Sequence, residues 1–276
     1  MTKKIKIQNI FVGGDENLAL IAGPCVIESE KITLEAASAI KKIAEKLKIP
    51  FIFKSSFDKA NRTRVENYRG PGLEKGLAIL AKVKKEIGVP VVSDIHTPDQ
   101  IALAAEVLDV IQIPAYLSQQ TDLAVGAGKT GKVVNLKKGQ FLAPWDMKKI
   151  CAKVESTGNK SILLTERGTV FGYNNLVADM RSIPLMREIG YPVFVDVTHI
   201  VRMPGPGSSE AQGGQPHFIE TLAMACVGAG CDGLFLEVHP NPKEALCDAA
   251  SMLSMDKLED LLEQAIAINK IVKGRN

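Results

Sequence analysis

Eight short apolar runs recur along the chain, each followed by a longer amphipathic stretch, and this alternation constrains the fold more than any other feature. The runs are LALIAGP, PFIFKSSF, PVVSDI, VIQIPAY, KVVNLKK, SILLTER, PVFVDVTH and GLFLEVH. Between them, apolar residues in 32–47 and 73–87 recur at three- and four-residue steps, the period of a helix packed on one side. Further helices fit residues 98–108, 145–155, 214–230 and 254–272. Strands alternating with helices, without a linker-like break, predict a (β/α)8 TIM barrel. A doubly wound open sheet is the alternative, and the lack of G-x-G-x-x-G after the first run weighs against it. With 276 residues the chain is long enough for one barrel domain over 1–276. The leading KIKIQNIFVGG alternates like a hairpin, so residues 1–14 are expected to form an N-terminal β-hairpin cap.

Charge and composition exclude several classes of function. The net charge of +3 comes without a basic tail, so there is no electrostatic case for nucleic acid. No apolar stretch approaches a membrane span, and the N-terminus lacks the apolar core of a signal peptide. Five cysteines, an odd number without C-x-x-C, suit reduced thiols in the cytoplasm. Cys151, Cys226, Cys231 and Cys247 read as small core residues.

Chemistry in a barrel of this kind sits where the strands end. Here the run ends carry Cys25, Lys54, Asp94, Gln112, Lys138, Arg167, His199 and Glu237, where purely structural strands would end in turn residues. Closure sets the last strands beside the first, so Cys25, His199 and Glu237 become neighbours. Asp248 follows in the loop EVHPNPKEALCDAAS. Thiolate, imidazole and two carboxylates can converge on one divalent metal ion, with Fe, Zn, Mn and Co all suited to the mixed donors. The alternative for each residue alone is a buried thiol, a satisfied histidine or a solvated acid. His239 already lies in the loop, and His96 and His217 have no comparable partners. Lys54, Lys59, Arg62, Arg64 and Arg69 lie in or after the second run. With Lys138 and Arg167 at adjacent ends, they suit a phosphate or carboxylate ligand. The alternative is ordinary solvated charge.

AGPCVIES, FKSSFDKANR, YRGPGLEKGL, IQIPAY, QTDL, NLKKGQFLAPWDM, LTERGTVFGYNNLVADMRS, DVTHIV and HPNPKEALCDAAS resemble the phosphoenolpyruvate aldol synthases, and among them most closely the KDO 8-phosphate synthase family. The likeness runs from about residue 18 to 253. The sister DAHP synthases share the GPC-ES and HP-x-P signatures but carry a K-P-R-T-type segment where this chain has KANR.

The resemblance implies condensation of phosphoenolpyruvate with arabinose 5-phosphate, in the synthesis of the KDO of lipopolysaccharide, with release of phosphate. By it, Lys54, Lys59, Gln112, Lys138, Arg167 and His199 would hold phosphoenolpyruvate. Asn61, Arg62, Thr63 and Asp94 would hold the pentose phosphate, and Lys59, Asp94, Lys138, Arg167 and His199 would carry the chemistry. Cys25, where the metal-free branch has Asn, implies the metal-dependent branch, with Cys25, His199, Glu237 and Asp248 as ligands. The family is usually a homotetramer. An Arg expected before Q-T-D is replaced by Gln119, and Arg64 is an extra cation, so Arg64 is expected to supply the missing charge to the pentose phosphate. RMPGPGSSEAQGGQP is expected to form a lid. The rival is a DAHP synthase-like or other sugar-acid synthase using a different aldehyde.

Overall fold

A computed structural model describes residues 1–205 and 210–274. Strands β1 (Ile5–Ile7) and β2 (Ile10–Val12) form an antiparallel hairpin. Eight parallel strands follow: β3 (Ala19–Gly23), β4 (Phe51–Lys54), β5 (Val91–Asp94), β6 (Val110–Ile113), β7 (Val133–Lys137), β8 (Ile162–Glu166), β11 (Val193–Asp196) and β12 (Gly233–His239). Each pairs with the next, and β12 pairs with both β11 and β3, which closes the barrel and excludes the open sheet. Above β8 stands the small hairpin β9 (Thr169–Val170) and β10 (Leu176–Val177), and β13 (Leu253–Ser254) extends the end of β12.

Around the strands run α1 (Glu30–Leu47), α2 (Leu73–Lys82), α3 (Gln100–Val107), α4 (Thr121–Lys129), α5 (Met147–Glu155), α6 (Ser182–Arg187), the short α7 (Val197–Ile200), α8 (Ile219–Gly228) and α9 (Leu258–Val272). Ser29 caps α1 by accepting the Ile32 N–H at 3.2 Å, and Thr33, Ala36, Ala37, Ile40 and Ala44 are buried at helical spacing. The expected helix over 73–87 loosens into a π turn at Val83–Ile87, which Gly88 ends with a positive φ of 71°. The first five residues of the expected 214–230 helix are not α-helical, because Pro216 starts a 3₁₀ turn and α8 begins only at Ile219. Helices α4 and α6 leave weak traces in the sequence: one holds Gly126 and Gly128, the other Pro184. Among the described residues no helix is long and apolar enough to cross a membrane.

The barrel interior is built in two chemically opposite levels. Ile21, Ile52, Val92, Val110, Val133, Leu163, Phe194 and Phe235 form one apolar cluster, into which Ile5, Ile7 and Val12 of the hairpin also pack. The hairpin therefore plugs the end where the strands start. Side chains alternate along a strand, so the residue two places on shares the inner face. Those residues are Gly23, Lys54, Asp94, Gln112, Asn135, Thr165, Asp196 and Glu237. Seven of these eight positions switch from an apolar to a polar side chain, and every polar one is buried. At the eighth, a Cβ on Gly23 would lie 2.1 Å from the Lys54 carbonyl oxygen, so β3 approaches β4 too closely for any side chain.

Candidate active site

The polar level opens into a chamber of about 280 Å³ at the strand ends. Lys54, Lys59, Asn61, Arg62, Thr63, Asp94, Gln112, Arg167, His199 and Asp248 all line it. Cys25 and Glu237 lie fully buried against these residues. One wall is a chain of hydrogen bonds across four strands. Thr165 Oγ1 donates to Asn135 Oδ1 at 2.7 Å, Asn135 Nδ2 donates to Gln112 Oε1 at 2.7 Å, and Gln112 donates to Asp94, which also accepts from Ser56. Burial by itself would raise the Asp94 carboxyl, but Lys54 and Lys59 hold it far below the usual carboxylate range.

The opposite wall gathers metal-type donors. Cys25 Sγ lies 3.4 Å from Asp248 Oδ2, and His199 Nε2 lies 3.7 Å from Asp248 Oδ2 and 3.9 Å from Glu237 Oε1. His199, Glu237 and Asp248 form one group of potential ligands, and Cys25, Cys247 and Asp248 another, sharing Asp248. Asp196 Oδ2 stands 2.7 Å from His199 Nδ1. A proton held there leaves Nε2 free as a donor, the usual arrangement behind a ligating imidazole. Glu237 Oε1 faces Lys54 at 3.3 Å and Lys59 at 3.6 Å, while its Oε2 is buried with no hydrogen-bond partner among the described residues. The four residues thus fit a divalent ion. Burial, a hydrogen bond with Cys247 and the Asp248 charge push the Cys25 thiol up, well above its ordinary value. A bound cation would displace that proton. Asp248 has a left-handed backbone, φ 51°, and is braced by Arg202 at 3.2 Å and Arg62 at 3.7 Å.

Two expected residues are elsewhere. Lys138 does not reach the chamber: it is fully buried, and its ammonium faces the carbonyls of Gly139, Leu142 and Gly168. Successive strand residues point to opposite faces, so only one of the two lysines ending β7 can face inward. That one is Lys137, which lines the chamber and donates to Asp196. Val133, Asn135 and Lys137 keep the inner-face period, and that spacing was the overlooked signal. The same period marks Thr165 and Asp196. Arg64 is likewise outside the chamber, with a side chain 66% exposed and 3.8 Å from Glu210. Gln119 is exposed too, and its carbonyl accepts from Lys153 at 2.6 Å. Arg64 therefore does not replace the missing cation within this subunit. Arg64→Ser is expected to leave the KM for either substrate within about twofold, as for a screened surface charge. A steady-state comparison with the unaltered enzyme checks this.

Cys247 is fully buried in an apolar cluster with Val26, Ala245 and Met252, as expected of a core residue, and in addition stands 3.0 Å from Cys25 and accepts from Arg62 at 2.8 Å. Only its place before Asp248 could have revealed it. Arg202 had no signal, being one cation in a Gly- and Pro-rich loop. Residues 206–209 of the expected lid lie outside the described residues. Its flanks are pinned, with Met203 N–H donating to Gly213 O and Gln215 N–H to Val201 O, and Pro204 and Gly205 reach the chamber rim.

Proteins named 2-dehydro-3-deoxyphosphooctonate aldolase resemble this chain throughout. That of Trichlorobacter lovleyi is 56% identical over 273 residues, covering 99% of this chain and 100% of the relative. Those of Syntrophotalea carbinolica and Geobacter sulfurreducens are 56% and 54% identical, each covering 99% of this chain and 99% and 100% of the relative. The DAHP synthetase I family profile matches residues 2–274. With barrel, chamber and nearly the whole sequence in agreement, the chain belongs to the DAHP synthetase I family.

Proposed function

We infer that the chamber joins phosphoenolpyruvate to D-arabinose 5-phosphate, giving 3-deoxy-D-manno-octulosonate 8-phosphate and phosphate. The chain is an enzyme, a transferase that forms a C–C bond. The observation that carries this reading is full-length identity of 54–56% to the relatives named above. The DAHP synthase-like alternative, with a different aldehyde, is not favoured.

The residues divide the work by position. Lys54, Lys59, Lys137 and Arg167 supply fixed positive charge for the phosphate and carboxylate of phosphoenolpyruvate, with Gln112 and His199 beside them. Asn61, Arg62 and Thr63, on the loop after β4, form the pentose phosphate end of the chamber. Asp94, kept ionised by Lys54 and Lys59, stands between the two ends and orients Ser56 and Gln112. C3 of phosphoenolpyruvate attacks the aldehyde carbon, water adds at C2, and phosphate departs to leave the 2-keto acid, with no redox change. Holding both anions in one walled chamber sets the reacting carbons together. Cys25, His199, Glu237 and Asp248 would hold one divalent ion, of which Fe, Zn, Mn and Co suit the donors. When bound, it supplies a Lewis acid for the aldehyde or for water.

Exposed aromatics support assembly with further copies of the chain. Phe141, Trp145, Phe171 and Tyr173 are exposed on the β7 and β8 loops, Tyr173 fully, and the exposed Tyr116 on the β6 loop stands at the chamber. Val170 N–H bonds the Gln140 carbonyl, which ties two of these loops together. A patch of this kind suits a subunit contact, and the homotetramer implied by the family resemblance would cover it. The five cysteines are all free and buried, which suits the cytoplasm.

Phosphate release from phosphoenolpyruvate, measured with each aldehyde, tests the reading. Arabinose 5-phosphate is expected to exceed erythrose 4-phosphate in kcat/KM by about 100-fold or more. The opposite preference would return the chain to the DAHP synthase reaction.

A further inference from the structure

Lys137 and Lys138 are chain neighbours, as are Glu166 and Arg167, and each pair divides at the end of its strand. Lys137 and Arg167 line the chamber. Lys138 and Glu166 are buried behind it and meet, with Nζ 3.3 Å from Oε1. Around the same ammonium stand the carbonyls of Gly139 and Leu142 at 3.2 Å, that of Gly168 at 3.3 Å, and Thr169 Oγ1 at 3.1 Å. An ammonium has three hydrogens, so these five acceptors compete for them and the group is held from both sides. Gly139 and Leu142 belong to the loop after β7, Gly168 to the turn after β8 and Thr169 to the start of β9. Glu166 Oε1 also accepts the backbone N–H groups of Arg167 and Gly168, both at 2.8 Å. The carboxylate therefore grips the backbone of the residue whose guanidinium faces the chamber.

Stability alone does not account for this arrangement. Well-packed apolar residues usually replace a buried ion pair without loss. What apolar residues cannot do is bond the carbonyls of one loop and the N–H groups of another at once. On the reading that Lys137 and Arg167 receive phosphoenolpyruvate, we propose that Lys138 and Glu166 are positioning residues for those two cations. The buried pair ties the β7 loop to the β8 turn and so fixes the separation of the Lys137 ammonium from the Arg167 guanidinium. Phosphoenolpyruvate, bound across both, is sensitive to that separation. Arabinose 5-phosphate, held by the loop after β4, is not.

The test compares Glu166→Gln and the double variant Lys138→Met with Glu166→Gln against the unaltered enzyme. Steady-state kinetics are measured for both substrates, with calorimetric titration of phosphoenolpyruvate and thermal melting. Glu166→Gln leaves Lys138 buried without its counter-charge and is expected to lower Tm. The double variant leaves no lone buried charge and is expected to regain Tm. Both are expected to raise the Kd and KM for phosphoenolpyruvate about tenfold, the scale of a modest misplacement, while the KM for arabinose 5-phosphate stays within twofold. The double variant decides: an unchanged phosphoenolpyruvate Kd, or equal losses for both substrates, would overturn the proposal. An unaltered enzyme that binds no phosphoenolpyruvate would instead remove the functional reading on which it rests.

Discussion

Stripping the enzyme with a strong chelator is expected to lower turnover by about 10³-fold or more, the scale of losing a metal's charge stabilisation. Replacing one equivalent of Mn, Fe, Co or Zn is expected to restore it. The expectation rests on geometry. Cys25, His199 and Glu237 come from three neighbouring strand ends, and Asp248 leans in from a left-handed backbone. Glu237 keeps an unsatisfied buried oxygen. Lys54 and Lys59 face Glu237, and Arg62 and Arg202 face Asp248, but none of these cations accepts an electron pair from the Cys25 sulfur or the His199 imidazole, as a metal ion does. Cys25→Asn sharpens the test, because an amide cannot supply a thiolate. Metal content by elemental analysis is expected to fall well below one equivalent per chain. Full turnover in a preparation shown to be metal-free would remove the ion from the reaction.

Arg167→Ala is expected to lower kcat/KM for phosphoenolpyruvate by about 10²–10³-fold, the usual cost of removing a desolvated charge from an anion site. Arg167 is only 7% exposed, yet among the described residues no carboxylate lies within ion-pair distance of its guanidinium. A buried cation without such a partner is poised for an anionic ligand. Burial lowers its pKa and nearby Asp196 opposes that shift, but a guanidinium stays charged at any working pH. Because the same charge faces phosphate as it departs, kcat is expected to fall along with affinity. Wild-type kcat and KM in this variant would place Arg167 outside the reaction.

The barrel was legible because burial on both strand faces writes itself as apolar runs, and helices packed on one side write a period of three to four. Helix ends were less so: α8 begins late at a proline, and α2 passes into a π turn, both decided by local backbone geometry. In the site, residues ending runs were easy to find, but their direction was not. Taking Lys138 for Lys137 came from reading the last residue of a run rather than its inner-face period. Arg64 was assigned as an extra cation to offset Gln119 where the resemblance expects an Arg, and loops carry no period to say where a side chain points. Arg202 and Cys247 reach the chamber through tertiary folding of long loops, which no local pattern records.

The hydrogen-bond wall from Thr165 to Asp94 has a polarity. A carboxylate at one end only accepts, so Gln112 must present its NH₂ there and its carbonyl to Asn135. Asn135 must then turn its own carbonyl to the Thr165 hydroxyl. No member can flip alone without setting donor against donor or acceptor against acceptor. The face that Gln112 shows to a substrate is therefore settled by the ionised state of Asp94 and transmitted sideways through the sheet, as current is set by which pole a wire is joined to.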